Sequence, residues 1–305
     1  DLATGSVRVL AAGFVRPESL VGAEGEIWVL AERRHGEGEA RGAARFRVEE
    51  DGSVAAVPGP RLARPLGLVR DALGALWLTA GHPLPAAMVP PGSGPARGVA
   101  FKVTPDGAWH RFAWDLDEPA GLALDAAGDL LVAETRPARL LRFRAPPAPE
   151  IAEPAPTNAQ TLPLEGRAEP GALVVARCPT GIARAVADSA GGFALDLPLV
   201  PDRSLPVELF GVAAGGAGLA SAPRAITAVQ DSTPPALALA APPANTLTSV
   251  TPVLVEGSAS DARGPVRVSV NGDEAAVGAD GRFAVSVPLL EGRNDISVRA
   301  ADAAG

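Results

Sequence analysis

The chain has 305 residues, 47% of them hydrophobic and 20% charged, which is enough apolar material for two or three buried cores. Its net charge of −8 disfavours a nucleic-acid partner, because phosphates are bound by clustered basic residues. The single cysteine, Cys178, excludes an intrachain disulfide and a multi-thiolate metal site, and no apolar run reaches transmembrane length. With 34 Gly and 31 Pro between short apolar runs, the composition favours strands and turns over helices.

Three segments in the first half of the chain resemble one another. They read RPESLVGAEGEIWVLAE, RPLGLVRDALGALWLTAG and EPAGLALDAAGDLLVAET, and they recur about every fifty residues. Each carries a large apolar residue at a matching offset from its proline: Trp28, Trp77 and Leu131. Each segment predicts two apolar strands joined by an acidic turn that contains glycine.

A second strand pair follows the first two of these segments. Residues 44–57 turn at Asp51 and Gly52, and residues 99–112 turn at Asp106 and Gly107, and Asp-Gly is a strong signal for a tight hairpin. Four strands per unit, repeated along the chain, are typical of a β-propeller blade. We therefore expect about three blades over residues 1–147, with the rest of a ring supplied by missing residues or by another chain.

These blades resemble those of the NHL and gluconolactonase-like propellers, whose units also read P-x-G-L-x-x-D-x-x-G-x-L-W-V. The resemblance implies a divalent metal at the channel, held by oxygen ligands at positions that here read Glu18, Leu66 and Ala120. Only Glu18 could ligate a hard cation, so a lactonase activity is disfavoured. A lyase-like propeller would need a histidine acid or base, and nothing near any histidine in the sequence supplies a constellation of orienting carboxylates.

Two long insertions fall at equivalent places in successive units, at residues 33–43 and 82–97. Repeat equivalence places them on one face, where loops on a rigid scaffold commonly contact ligands or partners. Two tryptophans near an edge strand are further candidates, for stacking on a sugar or for packing between blades. The candidate interaction residues are Arg33, Arg34, His35, His82, Met88, Trp109 and Trp114.

A Pro-rich segment at residues 145–157 predicts a semi-rigid linker that holds the following part of the chain at a distance. Beyond it a second repeat begins, because Phe193 and Phe283 lie in matching contexts ninety residues apart. Period-two alternation in VRVSVNG and NDISVRAAD predicts half-buried strands of β-sandwiches.

We therefore expect two immunoglobulin-like modules, at residues 148–231 and 232–305, of which the second lacks its last strand. The second resembles the bacterial immunoglobulin-like modules found as accessory domains of glucodextranase-like enzymes and in tandem in surface proteins. Truncation, or a strand donated by a neighbouring molecule, would each explain the missing strand. The overall prediction is an all-β fold, a partial propeller followed by two sandwiches.

No catalytic constellation, cofactor motif or dense metal-binding motif stands out, and a non-enzymatic role is favoured. Calcium is one possible ligand, because Asp231, Asp261 and Asp302 fall near the ends of the sandwich modules, where some tandem surface domains bind it. The favoured hypothesis is an extracellular or cell-surface structural or adhesive protein, part of a larger protein, that associates with itself or with another surface protein. The alternatives are a carbohydrate-related propeller enzyme with accessory domains, and a carbohydrate- or protein-binding module without assembly.

Overall fold

The structure is a computed structural model that describes residues 10–12, 14–23, 26–34, 43–49, 51–62, 65–81, 98–136, 138–214 and 218–305. Every regular element in these residues is a β-strand, as predicted. No helix in this described part of the chain is long and apolar enough to cross a lipid bilayer. We refer to residues 1–147, 148–231 and 232–305 as the N-terminal, middle and C-terminal regions.

The N-terminal region contains three antiparallel sheets in chain order, and strand β5 of the second sheet packs between β1 of the first and β9 of the third. The first sheet has strands β1 (Phe14–Ala23), β2 (Glu26–Arg34), β3 (Ala43–Val48) and β4 (Val54–Leu62). The second has β5 (Pro65–Arg70), β6 (Leu76–Gly81), β7 (Gly98–Val103) and β8 (Trp109–Trp114), and the third has β9 (Pro119–Leu124), β10 (Leu130–Glu134) and β11 (Arg139–Phe143).

The third sheet has three strands in the described residues, whereas four were expected for each unit. After β11 the chain runs through Ala145, Pro146 and Pro147, and prolines have no N–H with which to extend a ladder. The one N–H that Ala145 offers is donated to Oδ1 of Asp129 at 2.7 Å. This segment therefore leaves the sheet instead of adding a strand to it.

The repeated acidic turns form as the sequence predicts. In the second sheet, Oδ1 of Asp71 accepts the backbone N–H groups of Leu73 and Ala75, and Gly74 closes the turn with a φ of 84°. Asp125 and Gly128 repeat this arrangement in the third sheet, where φ of Gly128 is 90°. Aspartate supplies the acceptor and glycine tolerates the left-handed conformation, which explains the recurrence of the motif.

Trp77 is completely buried between the second and third sheets. Its ring packs edge-to-face on Phe112 with 4.8 Å between centroids, and its Nε1 donates to Oδ2 of Asp71 at 2.9 Å. Lys102, which pairs with Trp77 across β6 and β7, is also buried, and its burial lowers the pKa of the ammonium group while Asp71 opposes that shift. Trp77 is therefore the packing residue that the repeat predicted.

The middle region packs directly against the N-terminal region, which corrects the expectation that the Pro-rich segment separates them. Leu219 is buried in the cluster that contains Trp77, Leu130 and Val132. Nζ of Lys102 donates to the carbonyl of Gly218 at 2.6 Å. Burial of a leucine contributes about 2 kcal/mol, so this packing favours direct contact between the two regions.

Two sheets form the middle region, β12 with β15, and a second in the order β14, β13, β16, β17. The strands are β12 (Thr161–Arg167), β13 (Leu173–Cys178), β14 (Gly181–Val186), β15 (Gly192–Pro198), β16 (Ser204–Val212) and β17 (Arg224–Val229). Buried and exposed residues alternate along β12 and β15, so one face of that sheet packs into the core. The core contains Phe193, Val207, Leu209 and Ile226.

The C-terminal region also has two sheets, in the orders β18, β19, β22 and β21, β20, β23. The strands are β18 (Ala236–Ala241), β19 (Val253–Ser260), β20 (Arg267–Val270), β21 (Asp273–Ala275), β22 (Arg282–Val287) and β23 (Val298–Ala301). Phe283 lies in the core, and its ring closely approaches Gly257, as the ring of Phe193 approaches Gly166 in the middle region. The ninety-residue repeat therefore has a structural counterpart in these packing pairs.

Candidate metal site between the last two regions

The end of β17 fixes the first acidic residue of the site. The N–H of Thr157 donates to the carbonyl of Val229, and the N–H of Asp231 donates back to the carbonyl of Thr157, both at 3.0 Å. Between them, Gln230 is buried, and its amide binds the carbonyl of Asn158 and the N–H of Asp202. These contacts hold Asp231 at the edge of the middle region, facing the C-terminal region.

Asp231, Asp261 and Asp302 come together from three separate segments of the chain. Each can present one carboxylate oxygen such that all three oxygens lie within 4.8 Å of one another. Asp231 is only 4% exposed, and the other two are half-buried. In calcium sites the Ca–O distance is 2.3–2.6 Å, so two oxygens on opposite sides of the ion are about 5 Å apart. The spacing of the three carboxylates therefore fits a single calcium ion.

Hydrogen bonds orient all three carboxylates through their Oδ1 atoms. Asp231 accepts the N–H of Thr233 at 3.2 Å, and Asp261 accepts the N–H of Arg263 at 2.7 Å. Asp302 accepts the backbone N–H groups of Ala304 and Gly305 at 2.8 and 2.9 Å. Among the described residues no hydrogen bond is donated to the Oδ2 atom of any of the three. One oxygen of each carboxylate is therefore positioned by the backbone, and the second is available to a cation.

One basic side chain lies beside the cluster. Nε of Arg263 is 3.9 Å from Oδ1 of Asp231, and its Nη2 donates to the backbone carbonyl of Asp202. Among the described residues, this contact with Asp231 is the one ion pair recorded for the three aspartates, and it is longer than a hydrogen bond. This leaves uncompensated negative charge in a partly desolvated place, which a divalent cation would neutralise.

Two further contacts connect the same two regions. The carboxylate of Asp202 accepts the N–H and Oγ–H of Ser232 at 2.9 and 3.1 Å, and the backbone hydrogen bond from Ser232 is the main cause that holds its pKa below the ordinary value. Nδ2 of Asn158 donates to the carbonyl of Gly305 at 2.7 Å. The cluster thus lies within a polar contact between the middle and C-terminal regions.

The expected interaction residues are only partly within the described residues. Arg33 and Arg34 form the end of β2, with backbone partners Val15 and Phe14 on β1. His35, His82 and Met88 lie outside the described residues, and so do residues 35–42 of the first insertion and the whole of the second, residues 82–97.

The two candidate tryptophans both pack on the core of the first two sheets. Trp109 contacts Phe101 edge-to-face at 5.5 Å, and the guanidinium of Arg45 lies 4.7 Å from its ring centre. Trp114 has the guanidinium of Arg111 at 5.6 Å. Both rings are half-buried in this packing, and stacking on a sugar stays a prediction for them.

The acidic trio was recognised from its position at module ends, but its companions were not. Arg263, Asn158 and Asp202 occur in turns and bends outside the strands, where no periodicity indicates a partner. Their roles depend on how two regions meet, and the sequence holds no signal for that. The sequence offered a hint for the three aspartates alone, because an acidic residue ends each of the segments SVRAAD, SASD and TAVQD after a strand.

Comparison with known families matches the last part of the chain. Residues 235–305 match the family described as glucodextranase, domain B, which bears out the resemblance expected for the C-terminal region. The matched segment is less than a quarter of the chain. No curated protein matches the sequence.

Comparison with solved structures gives only distant likenesses. A candidate gluconolactonase is 18% identical over 72% of this chain and 93% of its own, with a TM-score of 0.28. A Ca²⁺-stabilised adhesin of an Antarctic bacterium is 11% identical over 91% of this chain and 80% of its own, with a TM-score of 0.23. The chain spans only 36% of the extracellular domain of a candidate one-component system from B. thetaiotaomicron, at 9% identity over 70% of this chain and a TM-score of 0.26. TM-scores this low do not establish a relationship. The comparisons therefore establish the similarity of residues 235–305 to glucodextranase domain B.

Proposed function

We propose that this chain is part of an extracellular structural or adhesive multidomain protein that acts by protein–protein assembly. In this proposal the three sheets of the N-terminal region are propeller blades, and the two following regions are immunoglobulin-like modules. A calcium ion bound by Asp231, Asp261 and Asp302 stiffens the contact between those modules. The match of residues 235–305 to an accessory-type domain supports this assignment.

The observation that carries the proposal is the convergence of three aspartates where two regions meet. A protein that works by holding partners at fixed positions needs defined angles between its domains, and contacts between domains are by default mobile unless they are large or bridged. The Asp231 carboxylate comes from the middle region, and Asp261 and Asp302 come from the C-terminal region. A cation bound to all three would bridge the two regions directly.

Calcium titration of the intact chain tests the metal part of the proposal. Extracellular modules bind calcium with Kd on the order of 10⁻⁴–10⁻³ M, so about 10 mM calcium would stabilise the folded form by about 1.4–2.7 kcal/mol. We expect calcium to raise the temperature of the calorimetric unfolding transition of the wild-type chain. Asp302→Asn is expected to abolish most of that rise, because it removes one charged ligand.

A matched control is available in the same region. Asp295 has a side chain that is 78% exposed and pairs with Arg293, so Asp295→Asn removes the same charge away from the cluster. This variant is expected to keep the full calcium response. An absent calcium shift in the wild type, or an equal loss in both variants, would show that the three aspartates do not form a metal site.

Particle size tests the assembly part. We expect the chain to associate as its concentration is raised, and sedimentation velocity measures this directly. A chain that stays strictly monomeric at millimolar concentration, alone and with calcium, would contradict self-association. That result would leave only association with another protein.

A further inference from the structure

A cleft opens where the third sheet, the Pro-rich segment and the middle region meet. Its volume is about 450 Å³, and pockets for small ligands commonly measure about 300–1,000 Å³. One wall is the turn before β10, and Ala222 of the middle region forms another. The N–H of Ala222 donates to the carbonyl of Ala127 in that turn at 3.0 Å. The cleft is therefore large enough for a small molecule, and a hydrogen bond joins two of its walls.

The carboxylates beside the cleft are already engaged. Nε of Arg142 donates to Oδ2 of Asp129 at 2.6 Å, and its Nη2 donates to Oδ2 of Asp125 at 2.9 Å. The Oδ1 atoms accept backbone N–H groups, from Ala145 to Asp129 and from Ala127 to Asp125. Within the described part of the chain, no hydrogen bond is donated by Nη1 of Arg142. The two aspartates thus hold this guanidinium in place and leave one of its nitrogens available.

Arg144 brings a second guanidinium to the cleft. It continues the alternation of β11 by one residue, so that Arg142 and Arg144 are both exposed and both line the cleft. Residues two apart in an extended strand are separated by about 7 Å, which is within reach of a single ligand. For the residues that the structure describes, no hydrogen bond or ion pair of Arg144 is found. The cleft therefore presents hydrogen-bond donors from two arginines.

The remaining walls are apolar and offer few backbone donors. Pro146 and Pro147 have no N–H group. The N–H groups of Ala127 and Ala145 donate to the two aspartates, and that of Ala222 donates to the carbonyl of Ala127. A bound molecule would consequently contact alanine and proline side chains, and its polar partners would be the guanidinium groups.

The Pro-rich wall is fixed from behind. A Cβ added to Gly211 of β16 would lie 3.2 Å from the carbonyl oxygen of Pro147, so this segment lies directly against that strand. Glu150 and Arg167 exchange two backbone hydrogen bonds at 2.8 and 2.9 Å. Walls that are in place before binding reduce the entropy lost in ordering them. The shape of the cleft thus does not depend on a ligand.

We infer that this cleft binds a uronic acid, a sugar ring that carries a carboxylate. Guanidinium groups bind a carboxylate through paired, charge-assisted hydrogen bonds, which matches the donors of Arg142 and Arg144. The alanine and proline walls suit the C–H face of the ring, while its hydroxyl groups stay in water at the open side. An acidic peptide fits less well, because its main chain would find few backbone donors here. The site is separate from the three aspartates and does not rest on the proposed assembly.

Isothermal titration calorimetry of the intact chain tests this inference. The probe is glucuronate, and the matched neutral sugar is glucose, in which a hydroxymethyl group replaces the carboxylate. We expect glucuronate to bind on the order of tenfold more tightly than glucose, because hydrogen bonds to a charged group are the stronger ones. The buffer contains no calcium, so that the carboxylate of the probe cannot bind through a metal at the three aspartates.

Two arginine variants separate the cleft from general charge effects. Arg144→Ala is expected to weaken glucuronate binding on the order of tenfold, and Arg144→Lys to restore only part of it, because lysine lacks the planar fork. Arg184 is exposed on β14, away from the cleft, so Arg184→Ala removes the same charge and is expected to keep the wild-type affinity. Unchanged unfolding midpoints would show that both alanine variants fold normally.

Several results would overturn the inference. These are no detectable binding of glucuronate, equal affinity for glucuronate and glucose, wild-type affinity in Arg144→Ala, or an equal loss in Arg184→Ala. The dipeptide N-acetyl-glutamyl-glutamate provides the remaining arm. If it bound more tightly than glucuronate and depended on Arg144 in the same way, the cleft would belong to a protein partner instead of a sugar. None of these outcomes affects the calcium and sedimentation tests of the proposed function.

Discussion

Two glycines provide a test of the contact between the N-terminal and middle regions. Gly107 and Gly128 close similar aspartate turns, with φ of 89° and 90°. Replacing either by alanine imposes the same left-handed strain of about 1 kcal/mol. A Cβ at Gly128 would lie 2.2 Å from the carbonyl oxygen of Ala220 in the middle region, whereas a Cβ at Gly107 has nothing within 4 Å.

The difference between the two variants isolates the contact. To reach an ordinary separation, the loop carrying Ala220 must move by about 1 Å, and this movement strains the hydrogen bond from Ala222 N–H to the carbonyl of Ala127. Losing one hydrogen bond costs about 1 kcal/mol, and partial exposure of Leu219 adds about 1–2 kcal/mol. We expect Gly128→Ala to destabilise by about 3–4 kcal/mol and Gly107→Ala by about 1 kcal/mol.

Tryptophan fluorescence during guanidinium unfolding measures the effect. All four tryptophans, at positions 28, 77, 109 and 114, lie in the N-terminal region, so the signal reports that region. A lower unfolding midpoint for Gly128→Ala than for Gly107→Ala, at equal slopes of the two transitions, would support the contact between the regions. Equal shifts for the two variants would refute the reasoning, because both share the backbone strain and only Gly128 meets the middle region.

Three further outcomes follow from the contacts between neighbouring regions. Leu219→Ala should destabilise the tryptophan-detected transition by about 2–4 kcal/mol, while Leu290→Ala, at a residue 82% exposed, should leave it unchanged; equal effects would contradict the buried position of Leu219. Lys102 is the only lysine of the sequence and is 3% exposed. An amine-reactive reagent should therefore label its side chain on the order of a hundredfold more slowly in the folded chain than in the unfolded one. Rapid labelling would show that the contact between Lys102 and Gly218 is open. The backbone N–H of Ser232 lowers the pKa of Asp202, so the stability that this contact contributes is present above the unfolded pKa of about 3.9 and is lost as the pH falls through the folded pKa. Calorimetry below about pH 4 should therefore show a loss of stability that is smaller in Asp202→Asn. Identical profiles of stability against pH for the wild type and this variant would refute the reasoning.

Local patterns predicted most of what is local in the fold. The Asp and Gly spacing placed the turns at Gly74 and Gly128, because those residues supply the acceptor and the left-handed φ without help from the rest of the chain. Period-two alternation likewise placed Val268 and Val270 in a core. These features depend on neighbours a few residues away, which the sequence displays directly.

Features that depend on distant segments were not predictable. Leu219 lies in the Gly-rich stretch GGAGLA, which has no periodicity, yet it fills the cluster around Trp77. The prolines before the middle region indicated separation, and the structure shows contact. The site at Asp231 was suspected from its position, but whether the three carboxylates meet depends on three loops at once, and no local rule contains that geometry.

The contact between Lys102 and Gly218 joins residues 116 positions apart, and this affects the order in which the protein can fold. During synthesis or export from the N-terminus, the sheets around Trp77 emerge long before the loop that carries Leu219. Until that loop arrives, their apolar surface stays uncovered, and contacts that close late are slow to form and expose intermediates to aggregation. The first half of the chain therefore depends on the second for its completion, and it is expected to need protection by chaperones while the chain is being made.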